Sequence, residues 1–399
     1  MGNPFYLIPI PPDGPLCDRA PEIRELAAHA RAKGSVVLYS PRRFGKTSLV
    51  RRVQSELAAE GAVTVFCDLF GVASAEDAAA RLARAVFAQV HGREPLWKRA
   101  LATLRTFRPV LRPDPQGGAS LTVEPVAAGR TGLALLGEVM EALVTFIADT
   151  DELVHIALDE FQEIVMLQEA PAVEAQLRSG IARTGAAWIF VGSRRHLLLG
   201  LFSDRQRPFF QSAILRPLPP LPANDLSTYA QERFAAGGHP CNEAAAARLA
   251  ALAAGHPYYA QRLGYFAWEI AEREEQEISA PTIDAALAEL LQAETPVYEA
   301  VVSALTLQQR LLLRALAREP SPQIMAAGYL QRHRLGSVGG IQKSIRALRE
   351  LDLAERDNDT EPWRLTDAML ARWLNGRGEE RVAEAGLPAA DPWSENGPE

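Results

Sequence analysis

Apolar positions follow two rhythms along the first half of this chain and only one along the next hundred residues. Short, mostly apolar runs occur at 36–39, 63–67, 153–158, 187–191 and 213–215, each bounded by polar or turn residues. Runs of that length predict strands buried on both faces, as in a parallel sheet. Between them, apolar residues recur every three or four positions. That spacing predicts helices over about 21–30, 47–60, 74–91, 95–107, 133–150 and 171–184. Strands alternating with helices predict an α/β core. Residues 1–16 are proline-rich and predicted to be extended. Residues 108–131 carry several Pro and Gly and predict a long excursion or hairpin off the core.

After Pro217, Pro219, Pro220 and Pro222 the pattern becomes helical only, over about 224–236, 243–253 and 256–274. Residues 275–302 read as a linker with one short helix. Three further helices follow, near 306–317, 322–333 and 338–351. Two strand-like pieces, Leu353 to Arg356 and Pro362 to Leu365, then flank a polar turn. Three helices and a hairpin form a winged-helix pattern. The expected organisation is a core at 1–220, a helical lid and linker at 221–300, a winged helix at 301–374 and a polar, acidic, disordered tail at 375–399.

Chemistry concentrates where two of the apolar runs end. After Val36–Tyr39 comes Ser40-Pro41-Arg42-Arg43-Phe44-Gly45-Lys46-Thr47-Ser48, then an apolar helix start. Strand, tight loop and helix N-terminus are the parts of a P-loop, whose backbone N–H groups point at phosphate oxygens. Lys46 would reach the β- and γ-phosphates, and the Thr47 hydroxyl would sit on Mg²⁺. The motif has Gly first, and Ser40 stands there instead. The run ending at Leu158 is followed by Asp159 and Glu160. Such a pair suits a metal shell (Asp159) and the polarisation of an attacking water (Glu160). His155, inside that run, reads as a core histidine rather than a ligand.

Ser193 ends the next run, at the sheet edge where α/β proteins bind ligands. It is either a γ-phosphate sensor or a cap for the following helix. Arg194, Arg195, Arg205 and Arg207 cluster beyond it; each is either a solvated charge or an arginine that completes a triphosphate site. In the third unit, Gln342, Lys343, Arg346 and Arg349 lie around an apolar face of Ile341, Ile345 and Leu348. They could contact the phosphates and base edges of double-stranded DNA. Neighbouring Glu350, Asp352 and Glu355 leave the basic balance slight, so docking onto protein stays equally open.

Length and composition narrow this picture modestly. A chain of 399 residues holds two or three cores. A formal net charge of −7 argues against whole-molecule attraction to nucleic acid or acidic membranes. Cys17, Cys67 and Cys241 fit no metal or disulfide spacing. With no basic leader and no membrane-length apolar run, a cytoplasmic location is expected.

Together these motifs make the chain resemble the archaeal-type ATPase family, AAA+-related STAND P-loop ATPases distantly similar to origin-recognition initiators. The resemblance covers residues 3 to 374. It rests on Asn3-Pro4-Phe5, Arg19 with Glu22, SPRRFGKTSL, LDEFQEI at 158–164, FVGSRRHLL at 190–198, RPFF at 207–210, GHPYY at 255–259 and LARWL at 370–374. It implies strand order 5-1-4-3-2, a helical lid and a C-terminal winged helix. It also implies ATP with Mg²⁺, Arg19 near the adenine, Ser193 as sensor, and His256 and Pro257 touching the nucleotide in place of a sensor arginine. The activity implied is a low-turnover ATPase switch. A DNA-binding regulator and an ATP-driven, self-associating scaffold that recruits an effector are the alternatives.

Overall fold

The computed structural model describes residues 2–384, apart from 92, 114–118, 127–128, 357 and 359. The chain divides into two compact units, 1–283 and 284–399.

In the first unit, α1 (Ala20–Arg31) precedes β1 (Ser35–Tyr39), α2 (Lys46–Ala59), β2 (Val63–Asp68), α3 (Ala75–Val90) and α4 (Glu94–Thr103). The antiparallel pair β3 (Phe107–Pro113) and β4 (Ala119–Pro125) forms a hairpin in the span expected to leave the core. Then come α5 (Gly132–Ala148), β5 (Val154–Asp159), a 3₁₀ turn (Phe161–Met166), α6 (Ala170–Thr184), β6 (Ala187–Gly192), α7 (Arg195–Ser203) and β7 (Ile214–Pro217).

Strands β2, β5, β6, β1 and β7 lie in that order in one parallel sheet. Numbered among themselves, and read from the other edge, they run 5-1-4-3-2, as the resemblance implies. Side chains alternate across this sheet because the strand period is two. Trp188 and Phe190 of β6 enter a large core with α3, α5 and α6, while Ala187, Ile189 and Val191 face α1 and α2. Each bulky side chain so buried contributes about 1.5–3 kcal/mol. Polar His155 is tolerated in β5 because Gln54 Nε2 lies 3.3 Å from its Nδ1; burial pushes its pKa down to about 4.

Helices α8 (Ala223–Ala236), α9 (Glu243–Ala253) and α10 (Pro257–Glu274) follow the proline cluster. Gly255, at φ 77°, turns the chain between α9 and α10. A Cβ there would lie 2.6 Å from Pro220 Cβ, so only glycine fits. The N-terminal segment runs across these helices: Asn3 Nδ2 donates to Glu269 Oε1 (3.0 Å), and Tyr6 N–H to Gln261 Oε1 (2.9 Å). Phe5 packs on Phe234, with ring centroids 4.8 Å apart. The segment continues to α2, where the Arg52 guanidinium donates to the carbonyls of Pro12 and Gly14.

The expected linker is instead a 24-residue helix, α11 (Ala280–Ser303), which runs through the border between the units. Pro296 lies inside it, where a proline removes a backbone hydrogen bond. Buried Ile283, Ala286, Leu290 and Tyr298 supply the apolar stripe that outweighs that one proline.

In the second unit, α12 (Leu307–Arg318) starts with a capping box of Thr306 and Gln309. The next predicted helix shrinks to α13 (Ala327–Arg332). Then come α14 (Val338–Glu350), the antiparallel pair β8 (Ala354–Glu355) and β9 (Arg364–Leu365), and α15 (Ala368–Glu384). Asn375 Nδ2 on α15 donates to Ala317 O at 3.0 Å, so helix covers part of the span expected as tail. Residues 385–399 lie outside those described. Among the described residues, no helix is long and apolar enough to cross a membrane.

Candidate active site

The carboxyl ends of β1, β5 and β6 bring the two sequence motifs together. Ser40 is buried and takes no left-handed conformation; Arg43 (φ 61°) and Gly45 (φ 84°) do. The turn that needs backbone freedom therefore falls later in the loop, and Ser at its first position carries no strain. Gly45 is the N-cap of α2, whose first turn holds Lys46, Thr47 and Ser48. Lys46 is buried, and its Nζ donates to the carbonyls of Ser40 (3.0 Å) and Pro41 (2.8 Å). A buried ammonium needs such partners, so the lysine is held along the inside of the loop.

Thr47 Oγ1 donates to Asp159 Oδ2 at 2.7 Å, and Glu160 N–H donates to Asp159 Oδ1 at 3.0 Å. Burial pushes the Asp159 carboxyl above the usual range, against the lowering pull of these bonds. Such a carboxylate gains most from a cation. Thr47 and Asp159 fit Mg²⁺, which commonly takes one or two protein oxygens and completes its shell with phosphate and water. Among the described residues, no group of three or more His, Cys, Asp or Glu could hold a metal.

Glu160 adopts the left-handed conformation (φ 50°, ψ 40°) between β5 and the 3₁₀ turn. For a non-glycine residue this costs on the order of 1 kcal/mol, kept where surroundings enforce it. Ser193 Oγ donates to Glu160 Oε2 at 2.9 Å, and Gln162 Nε2 donates to the same oxygen. Gln162 is fully buried, and a Cβ on Gly192 would fall on its Oε1. Sequence reasoning assigned Gln162 no role; its signal was a polar residue between Phe161 and Ile164, both now in the core. Rings of Phe161, Phe190 and Phe209 pack with centroids 4.7–5.6 Å apart and fix the backbone on which Glu160 and Ser193 stand.

The Gly255–Tyr259 turn meets the P-loop. The rings of His256 and Phe44 meet edge to face at 4.7 Å, and the Arg43 guanidinium lies 4.4 Å from the Tyr258 ring centre. A Cβ on Gly45 would touch Pro257 Cγ at 3.9 Å. Burial lowers the His256 pKa to about 4, a hydrogen bond with the Arg42 backbone opposes this, and among the described residues Nδ1 has no hydrogen-bond partner. Arg19 is buried, donating to Glu22 Oε1 and Pro219 O, each at 2.9 Å.

The later arginines divide. Arg207 pairs with fully buried Glu174, Arg194 lies 3.7 Å from Glu163, Arg195 sits over the Tyr39 ring, and Arg205 is exposed. A cavity of about 500 Å³ opens beside Thr47, Asp159 and Glu160 and is walled by Pro9, Ile10, Pro11, Pro12, Arg51, Phe66, Asp68 and Phe70. The second unit keeps Gln342, Lys343, Arg346 and Arg349 exposed on α14, opposite buried Ile341, Ile345 and Leu348.

The family model described as "Probable winged helix domain" matches residues 296–376. No curated protein matches the chain in sequence. Among solved structures, the Walker-type ATPase PABY2304 of Pyrococcus abyssi is similar at TM-score 0.66 and 15% identity, covering 93% of this chain and 99% of that one. The ORC2 protein of Aeropyrum pernix, solved as ADPNP–ADP complexes, is similar at 0.57 and 16%, covering 94% and 96%. The ORC1 protein of Aeropyrum pernix, in complex with DNA, is similar at 0.50 and 18%, covering 96% of each chain. The chain thus has a P-loop ATPase fold, with five parallel strands between helices and a C-terminal winged helix.

Proposed function

We propose that the chain binds ATP with Mg²⁺, hydrolyses it slowly, and uses the nucleotide state to control its winged helix. The observation that carries this reading is the meeting of Thr47 with Asp159 beside Lys46, and of Ser193 with Glu160. These are five polar groups from three neighbouring strand ends, set as phosphate and water chemistry requires.

In this reading Lys46 turns from the loop carbonyls to the β- and γ-phosphates, and loop N–H groups from Ser40 to Ser48 cradle them. Thr47 and Asp159 hold Mg²⁺, which neutralises phosphate charge when bound. Glu160 accepts a proton from the attacking water, and Ser193 holds its carboxylate. The Nδ1 of His256 supplies a polar atom for the nucleotide, with Pro257 beside it. Arg19 stays on Glu22 and Pro219, framing the base side. ATP changes the protein's shape only through contacts that differ between its states. The contact of the Gly255–Tyr259 turn with the P-loop is the candidate for that difference. Soluble, cytoplasmic behaviour accords with this reading.

Mg-ATP turnover and affinity in Glu160→Gln test it. The expected outcome is turnover reduced by about 100-fold or more with affinity nearly kept. Turnover at the parental rate removes Glu160 as the base. The exposed row on α14 favours a second reading, in which the winged helix binds duplex DNA and ATP gates it. An ATP-dependent rise in mass without DNA binding would instead indicate an effector-recruiting assembly.

A further inference from the structure

We propose that Arg51 is the cation that stabilises charge on the transferred γ-phosphoryl group, so that the chain completes its own site without an arginine from a second copy. This rests on the ATPase reading above. Arg51 stands on α2 one helical turn beyond Thr47, and helical side chains lean toward the N-terminus, here toward the phosphate end. It lines the cavity shared by Thr47, Asp159 and Glu160, and among the described residues it is the one cation that does so. Its guanidinium lies 4.2 Å from the Phe66 ring centre. That contact orients the group and leaves its N–H donors free. No described residue makes an ion pair or hydrogen bond with it.

Its neighbour shows the contrast. Arg52 is committed to the carbonyls of Pro12 and Gly14. That anchorage places the proline segment as a wall of the cavity, with Arg51 facing the same space. The later arginines that could serve instead are partly engaged, Arg207 by buried Glu174 and Arg194 by Glu163.

In the reaction, the water oxygen bonds to the γ-phosphorus as the bond to the bridging oxygen of ADP breaks. The water's proton passes to Glu160, and ADP and phosphate leave. Negative charge on the departing and equatorial oxygens is what a guanidinium donor stabilises.

The test compares the full chain with Arg51→Ala and Arg51→Lys. It measures steady-state Mg-ATP turnover at several protein concentrations, affinity for a fluorescent ATP analogue, and far-UV circular dichroism. The expected result is a kcat about 100-fold lower in Arg51→Ala, with affinity within about threefold. Arg51→Lys recovers part of the loss, because it keeps the charge without the planar fork. Parental turnover per chain stays constant on dilution. A parental kcat in Arg51→Ala, a loss confined to affinity, or turnover that rises with protein concentration overturns the assignment. A parent that binds the analogue but turns nothing over also overturns it, while sparing the nucleotide-binding reading. A parent that binds no nucleotide sinks that reading itself.

Discussion

The carboxyl edge of the parallel sheet and the outer face of α14 use polar side chains in opposite ways. At the sheet edge Lys46, Asp159, Ser193 and Gln162 are buried, and each has a named partner within the protein. On α14, Gln342, Lys343, Arg346 and Arg349 stand in solvent. Buried polar groups cost free energy unless paired, so the first arrangement is tolerated only as a complete set. Exposed charges cost little and specify little. The sheet edge is therefore built for one chemistry, whereas the helix face offers a general electrostatic surface.

Three perturbations probe that contrast, in falling order of size. Lys46→Ala removes the one buried cation of the P-loop and is expected to weaken Mg-ATP binding by at least about 100-fold, measured by calorimetric titration. Retained affinity would mean the lysine stays on Ser40 and Pro41 and never engages phosphate.

The second perturbation is pH. His155 keeps its neutral form in the folded chain down to about 4, whereas the unfolded chain protonates near 6.5. The unfolded state binds more protons between those values, so stability is full above 6.5 and falls as the pH drops toward 4. The loss is roughly 3 kcal/mol at most. Comparing denaturant unfolding of the parent and His155→Leu across this window isolates it, because the carboxylates titrate in both. Equal slopes would mean His155 is hydrated or protonated in the fold.

The smallest stability effect is expected on α14. Replacing Lys343, Arg346 and Arg349 together by Ala should change stability by less than about 0.5 kcal/mol per site. If the face meets duplex DNA, the same change lowers the salt dependence of binding by about three phosphate contacts. An unchanged salt slope assigns α14 to a protein surface.

The same contrast explains what was legible in the sequence. The strands, the P-loop and the Asp159–Glu160 strand end follow from local patterns, because a strand, a turn and a helix start each leave a short-range signature; the order of the strands in the sheet came only from the family resemblance. Gln162 carried only a weak signature, a polar residue between Phe161 and Ile164. Its position depends on Gly192, thirty residues away, having no side chain, and no local spacing reports that. The helix across 280–303 was hidden for the opposite reason. A local signal, Pro296, was overruled by buried Ile283, Ala286 and Leu290. The shortened α13 reflects the same limit: Tyr329, whose hydroxyl donates to Glu319 O at 3.0 Å, sets where that turn sits. What α14 meets is not written in the helix at all, since exposed Gln, Lys and Arg suit phosphate and carboxylate surfaces alike.

The N-terminal segment has a geometric consequence. Helices α8–α10 join the sheet through residues 218–222 and are joined again through residues 7–11, between the Tyr6 bond to α10 and the Arg52 bonds on α2. Swinging of the block about residues 218–222 carries Tyr6 with α10, whereas Arg52 holds Pro12 and Gly14 on α2. The strain of that motion falls on the chain between them, which includes Pro9–Pro12, a wall of the cavity beside Glu160. Opening of the helices and the width of that cavity are thus one coordinate rather than two.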